Sequence, residues 1–338
     1  MKIHYISDHE ILEYDEVKMF TEMGYDVFSN GAYLDPKGHI TLKRPGIEGM
    51  THNLEYVEIA VNRPRTDLDS RIIEPFDTFI FMHSPNVLVS NWDRIKHKNV
   101  IYRSIGQSVS HIESAFLAPL VLEGLKIVRY SPKEHNIPSF VGETAQIRFY
   151  KDPDEYDGWV GDSLVPINFT QSLKGRRSFC RYDEIFPIIE YFNGKVYGPG
   201  NEDLGSFNGG QVTFDNHKEI LRKARAFIYG GTWPAAYTLS FMEALMTGTP
   251  IVAIGKNLAY DNQFENYDYY EADEILFEAG GIVCHSVQQM ILETSNLLND
   301  FGYAKEISLR QREIAIKYFG KDKIMGQWKD LLEGNNVN

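Results

Sequence analysis

GTWPAAYTLSFMEALMTGTPIVAIG, residues 231–255, holds a loop, a helix and a strand in one run. Gly231, Pro234 and the small residues around them interrupt regular structure and read as a loop. From Thr238 the apolar residues of YTLSFMEALMTG fall at helical spacing until Gly248 stops them, and PIVAIG has the short apolar character of a buried strand. The helix start puts Thr238 and Leu239 in a first turn whose backbone N–H groups lack intrahelical partners, which suits a phosphate. Glu243 lies about one turn further in, where a carboxylate can accept hydrogen bonds from two ribose hydroxyls while the helix end holds a pyrophosphate. Taken without its neighbours, the same helix also reads as core packing around one structural Glu.

Outward from this run the same alternation continues in both directions. Before it stand VPINFTQ as a strand, a helix around Tyr182 to Phe192, GKVYGPG as a strand ending in glycines, HKEILRKA as a helix and RAFIYGG as a strand. The first half has a strand at Lys2 to Ser7, a polar loop SDHEILEYDE, a helix around Val17 to Met23 closed by Gly24, and a strand at Tyr25 to Phe28. Strands at Thr78 to Met82 and Val100 to Ser104 follow, then the helical SHIESAFLAPLVLEGL closed by Gly124, and KIVRYS. Between the halves, KDPDEYDGWVGDS (Lys151 to Ser163) has the composition of a linker. The pattern predicts an α/β protein of two Rossmann-like, doubly wound parallel-sheet domains facing a central cleft at the strand C-terminal ends. Their expected bounds are 1–155 and 163–302. A helical segment, 303–338, broken at Gly320, would pack across both.

A chain of 338 residues is long enough for two such cores. The first residues, MKIHYIS, run straight into a strand pattern, and no stretch approaches the ~20 apolar residues of a membrane span. A cytoplasmic location is expected. Cys180 and Cys284 lie far apart in the sequence without metal-ligand spacing and read as idle thiols. The net charge of −13 disfavours a surface that tracks a polyanion, while leaving room for a local basic cleft. Lys174, Arg176, Arg177 and Arg181 form such a cluster at a strand-to-helix turn.

With its neighbours, the opening run resembles family 4 of the retaining glycosyltransferases, which have the two-domain GT-B fold. GGQVTFDNHKEILRKARAFIYGG (209–231) is similar to that family's approach to the donor loop, and MEALMTGTPIVA to its Glu-Ala-Met-Ala-x-Gly-x-Pro-Val signature. The resemblance implies a nucleotide-diphosphate sugar donor, UDP- or GDP-linked, used without metal or other cofactor. It implies that Glu243 binds the ribose, that Thr238 and Leu239, beside Tyr237, bind the diphosphate, and that Gly210 and Val212 border the base. Arg176 and Arg181, with Lys174 and Arg177 as competitors, would neutralise the leaving pyrophosphate. FDTFIFMHSPN (76–86) is similar to the family's strand ending in His with Pro two residues on, which puts His83 beneath the donor sugar. Its plainer reading is a His that finishes a strand and satisfies a loop carbonyl.

On the acceptor side, Arg103, Gln107 and His111 of YRSIGQSVSH are candidates by position, as are Asp8 and His9 in the first loop, whose acidic residues can equally be solvated. The family's first Glu, eight residues before Glu243, is Ala235 here, which leaves the donor sugar open. The chain also distantly resembles bacteriophage DNA β-glucosyltransferase around YTLSFMEALMTG. The Asp base of that inverting enzyme has no counterpart in SIGQS, which favours retention. The acceptor stays open among a glycan, a small molecule and a modified DNA base. A nucleotide-sugar epimerase and a non-catalytic nucleotide-sugar-binding protein are the competing classes.

Overall fold

The computed structural model describes residues 1–48, 58–59, 65–260, 264–265 and 267–334. It divides into two units, one of Met1–Gly38, Leu42–Phe149 and Asp322–Asn338, the other of His39–Thr41 and Tyr150–Lys321. Each is built on a six-stranded sheet whose paired strands are all parallel.

The first unit's strands are β1 (Lys2–Ser7), β2 (Asp26–Ser29), β3 (Thr78–Met82), β4 (Asn99–Arg103), β5 (Lys126–Arg129) and β6 (Ala145–Gln146). They lie in the order β2-β1-β3-β4-β5-β6. Central β3 reads TFIFM and is buried at every position, as expected of a parallel strand covered on both faces. One face packs Phe79, Phe81 and Tyr102 against Leu88, Trp92 and Leu117 from the flanking helices. His4 sits in the same apolar core among Phe28, Phe76 and Phe79, and burial lowers its pKa to about 3.

A polar group also belongs to this unit's core. Arg103, on β4, donates from Nε to Glu16 at 2.9 Å and from Nη1 to the Ile147 carbonyl at 2.6 Å, with its guanidinium over the Phe149 ring. Tyr5 donates to the other Glu16 oxygen at 2.6 Å. Glu16 belongs to the segment expected to be a loop, yet the helix runs over Glu10–Glu22. His9 caps that helix, Glu10 and Glu13 favour its N-terminal dipole, and Leu12, Tyr14 and Val17 form its buried stripe. The acidic residues Glu13 and Glu16 are therefore buried, not solvated.

The second unit holds β7 (Ile167–Phe169), β8 (Lys195–Tyr197), β9 (Asn208–Gly210), β10 (Phe227–Tyr229), β11 (Ile251–Ile254) and β12 (Ile282–Cys284). Their order, β12-β11-β10-β7-β8-β9, is a dinucleotide-fold arrangement that runs outward from β7 in both directions. Both cysteines are buried free thiols.

The stretch Lys151 to Ser163, expected to be a linker, is part of the second unit. Lys151 and Tyr156 are each 2 % exposed, and Trp159 donates to the Ala224 carbonyl at 2.8 Å. At the other end the chain forms the helix Phe301–Phe319, then Gly320, then the helix Lys321–Glu333. A Cβ at Gly320 would lie 2.4 Å from the Ile316 carbonyl, so the break needs glycine. The first helix belongs to the second unit, and the other, from Asp322, to the first. Among the described residues no helix is long and apolar enough to cross a membrane.

Candidate functional site

In a doubly wound sheet the crevice lies where successive connections leave in opposite directions, at the C-terminal ends of two adjacent strands. β1 and β3 are that pair in the first sheet, β7 and β10 in the second.

In the second unit the loop after β10 starts at Gly230 and Gly231. A Cβ at Gly230 would sit 2.7 Å from Ile185, and Gly231 has φ +70° with Tyr270 2.9 Å from where its Cβ would be. The loop closes on Thr238, whose N–H donates to the Tyr229 hydroxyl at 3.1 Å. Thr238 caps the helix Leu239–Thr247, its side chain accepting from the Phe241 N–H. Among the described residues the N–H groups of Leu239 and Ser240 have no protein acceptor, so this helix end presents donors and a positive dipole end.

The turn after β7 carries the basic cluster. Ser172, Arg177 and Arg181 all have positive φ, at +46°, +29° and +56°, a concentration of left-handed non-glycine residues typical of a strained functional turn. This turn and the loop after β10 are joined: the Trp233 N–H donates to the Phe179 carbonyl at 2.8 Å.

The four basic residues divide. Lys174 and Arg176 are exposed, and no side-chain partner holds either among the described residues. Arg177 pairs with Asp183 on the surface. Arg181 does not match its expected role, since it is 3 % exposed with its guanidinium spent on the carbonyls of Ser178 and Ala259 and on the Tyr269 hydroxyl. That commitment makes it a structural tie.

Glu243 is 2 % exposed. Its Oε1 accepts from Lys151 Nζ and from the Tyr156 hydroxyl, both at 2.9 Å, and His217 Nε2 is 3.1 Å from Oε2. His217 in turn stacks on Phe169 at the end of β7, with ring centroids 4.0 Å apart. The expectation of a carboxylate open to ribose thus meets a carboxylate already at the centre of a buried network. Lys151, Tyr156 and His217 are the residues that sequence reasoning missed, because none lies within helical or strand spacing of Glu243.

Tyr237 is also buried, edge-on to Phe319, and Ala235 is 7 % exposed. Gly210 ends β9 at φ +76°, and Val212 donates its N–H to Thr41 at 3.1 Å.

In the first unit the strand ends enclose a cavity of about 420 Å³. Its polar lining is Asp8, His9, His83, Ser84, Asn86 and Gln107. His83 stands at φ +47° directly after β3, and its Nδ1 is buried without a hydrogen-bond partner among the described residues. Burial lowers the His83 pKa, against a hydrogen bond with Gln107 and the charge of Asp8, which raise it. Ser84 donates to Asp8 Oδ2 at 2.6 Å, while Arg65 pairs with the other Asp8 oxygen and donates to the Ser7 carbonyl at 2.8 Å.

Of the acceptor-side candidates, Asp8, His9 and Gln107 line the cavity together with His83. Arg103 does not, being fully buried in the Glu16 network, and exposed His111 packs edge-on to Phe116 outside that lining.

No family model matches the sequence, and no curated protein sequence matches it. Solved structures do. HepE from Anabaena, in complex with UDP and glucose, superposes with a TM-score of 0.68 at 12% identity, covering 99% of this chain and 100% of its own. Sucrose-phosphate synthase from Thermosynechococcus elongatus gives 0.67 at 12% identity over 99% and 98%. A glycosyltransferase from Rickettsia africae gives 0.62 at 12% identity over 98% and 97%. Likeness at such identity carries the fold, and the two doubly wound parallel sheets are of that kind. The chain has the GT-B fold, two Rossmann-like α/β domains in one polypeptide.

Proposed function

We propose that this chain is a glycosyltransferase that takes its sugar from a uridine diphosphate donor and passes it, with retention, to a hydroxyl acceptor. The observation that carries the reading is the second unit's switch point. There a helix end with two unmet N–H donors stands on the loop that is hydrogen-bonded to a turn bearing the uncommitted cations Lys174 and Arg176. That combination suits a diphosphate, whose oxygens accept from backbone N–H groups and from charged donors at once. UDP is favoured over GDP because HepE, which shares the fold, binds UDP.

In the reaction the acceptor oxygen bonds to the anomeric carbon as the bond from that carbon to the phosphate oxygen breaks. The acceptor proton passes to the departing phosphate on the same face. The protein's part is to orient both partners and to stabilise charge gathering on the diphosphate. Arg176 and Lys174 take that role, with the Leu239 and Ser240 N–H groups. Glu243 receives a ribose hydroxyl by exchange for the His217 contact, and Lys151 and Tyr156 keep the carboxylate fixed while it does so. The resemblance to family 4 assigns His83 to the sugar.

Incubation with a panel of radiolabelled UDP-sugars, with and without a mixed acceptor extract, tests this reading. Transfer of label from one UDP-sugar into a product that keeps the donor's anomeric configuration is the expected result. Label that stays in the donor, or appears in an inverted product, overturns it.

A further inference from the structure

The cavity in the first unit has a chemistry that restricts what can enter it. Its six polar lining residues offer both donors and acceptors, while Val87, Ile105 and Ile112 supply apolar wall. No Lys or Arg is among the described lining residues. Among the described lining residues Asp8 carries the formal charge, and Arg65, which pairs with it, has its guanidinium turned to Asp8 and the Ser7 carbonyl.

Three further features mark this pocket as a ligand site. His83 holds a strained left-handed backbone, and its Nδ1 is buried without a hydrogen-bond partner among the described residues. The wall at Ile112 begins a π-helix, Ile112–Leu117, a rare form that recurs at functional sites. At about 420 Å³ the space lies in the range of small-molecule sites, roughly 300–1,000 Å³.

A phosphate-bearing ligand or a nucleic acid needs cations to offset its charge, and the described lining residues include no Lys or Arg to supply them. A ring carrying several hydroxyls needs what the lining has: a fixed carboxylate and imidazole to accept, Asn and Gln amides to do both, and apolar wall for its C–H face. We propose that the first-unit cavity binds an uncharged, hydroxyl-rich ring, so that the acceptor is a neutral glycoside or polyol, with Asp8, fixed by Ser84 and Arg65, receiving one of its hydroxyls. The assignment to the acceptor rests on the transferase reading above; the binding of a neutral ring does not.

The test follows the His83 ring signal in protein labelled at histidine, assigned by its loss in His83→Gln. The probes are the methyl glycosides of glucose, galactose, mannose and N-acetylglucosamine and myo-inositol, set against inorganic phosphate, glucose 6-phosphate and short duplex DNA. At least one neutral probe is expected to shift the signal saturably. Phosphate and DNA should leave it unmoved, and glucose 6-phosphate should bind at least about tenfold more weakly than the neutral glucoside, because the described lining offers its phosphate no free cation. Asp8→Asn should narrow that gap. Absence of binding by every neutral probe overturns the proposal, as does a phosphate-bearing probe that binds as tightly as its neutral parent. UDP added to the same sample keeps the two readings apart. If UDP raises the melting temperature while no neutral probe binds, only this proposal fails; if UDP does nothing, the transferase reading fails whatever the glycosides do.

Discussion

The loops that leave β1 and β3 in the first unit and those that leave β7 and β10 in the second occupy equivalent positions in two sheets of one type, yet their chemistry is opposite. The second unit offers unmet backbone donors and two uncommitted cations. The first offers a cavity lined by one ion-paired carboxylate, imidazoles and amides, without a Lys or Arg among the described lining residues. The topology supplies a crevice in both cases, and the few residues after the strands decide what it binds. On the proposed reading, a diphosphate suits the second unit's strand ends and an uncharged ring the first unit's.

The comparison breaks most visibly if the second unit's buried network is cut. Lys151→Met leaves Glu243 buried beside Tyr156 and His217 without its ammonium partner. The loss expected is about 3–5 kcal/mol of stability, read by urea unfolding, with hydrogen exchange locating it in residues 150–321. Glu243→Gln in the same background should restore part of it.

Next in size is the effect on turnover of Lys174→Ala combined with Arg176→Ala. Removal of charge stabilisation at a leaving group costs on the order of 10²–10³ in kcat. Arg181→Ala, by contrast, should act through stability, because its guanidinium is held by protein carbonyls and the Tyr269 hydroxyl. Equal loss of kcat in correctly folded Arg181→Ala protein would return that residue to the reaction.

Within the first unit, burial raises the Glu13 pKa from 4.5 to about 7. The folded protein therefore holds that proton more tightly than the unfolded chain. Its contribution to stability is complete below about pH 4.5 and is lost as pH rises to about 7. Glu13→Gln, whose amide oxygen can still accept from the Gly31 N–H, removes this dependence. The difference between the two proteins should grow by roughly 2–3 kcal/mol from pH 4 to pH 8, and the second unit should not respond.

The smallest change is Thr238→Ala, which removes a helix cap and should cost about 1 kcal/mol. UDP should recover much of it by binding the same helix end.

Periodic features of the chain were readable from the sequence. The alternation of strand and helix, the glycine stops at Gly24, Gly124 and Gly248, and the helix start at Thr238 are local, and each needs only a few neighbouring residues to be recognised. The helix at Glu10–Glu22 was obscured because Glu13 and Glu16 look like surface residues. Their burial depends on Gly31 and Arg103, and Arg103 is 87 positions from Glu16. The same distance in sequence hides the Lys151 bond to Glu243, 92 positions away, and made Lys151 to Ser163 look like a linker. Basic residues of the β7 turn were legible as a cluster, but not their division into two free and two committed side chains, which rests on Asp183, Ala259 and Tyr269. At the first unit's strand ends Asp8, His9, His83 and Gln107 were legible by position. The partners that neutralise and orient Asp8, namely Arg65 and Ser84, were not.

The central claim is that the second unit's switch point holds a uridine diphosphate through Lys174, Arg176 and the helix end at Leu239. Titration calorimetry with UDP, on the wild-type chain and on the Lys174→Ala, Arg176→Ala variant, tests it most directly. The account predicts saturable one-to-one binding of UDP, markedly weaker binding of uridine, and a loss of about tenfold or more in UDP affinity in the variant with uridine affinity unchanged. UDP that binds no better than uridine, or binds the variant as tightly as the wild type, would contradict it.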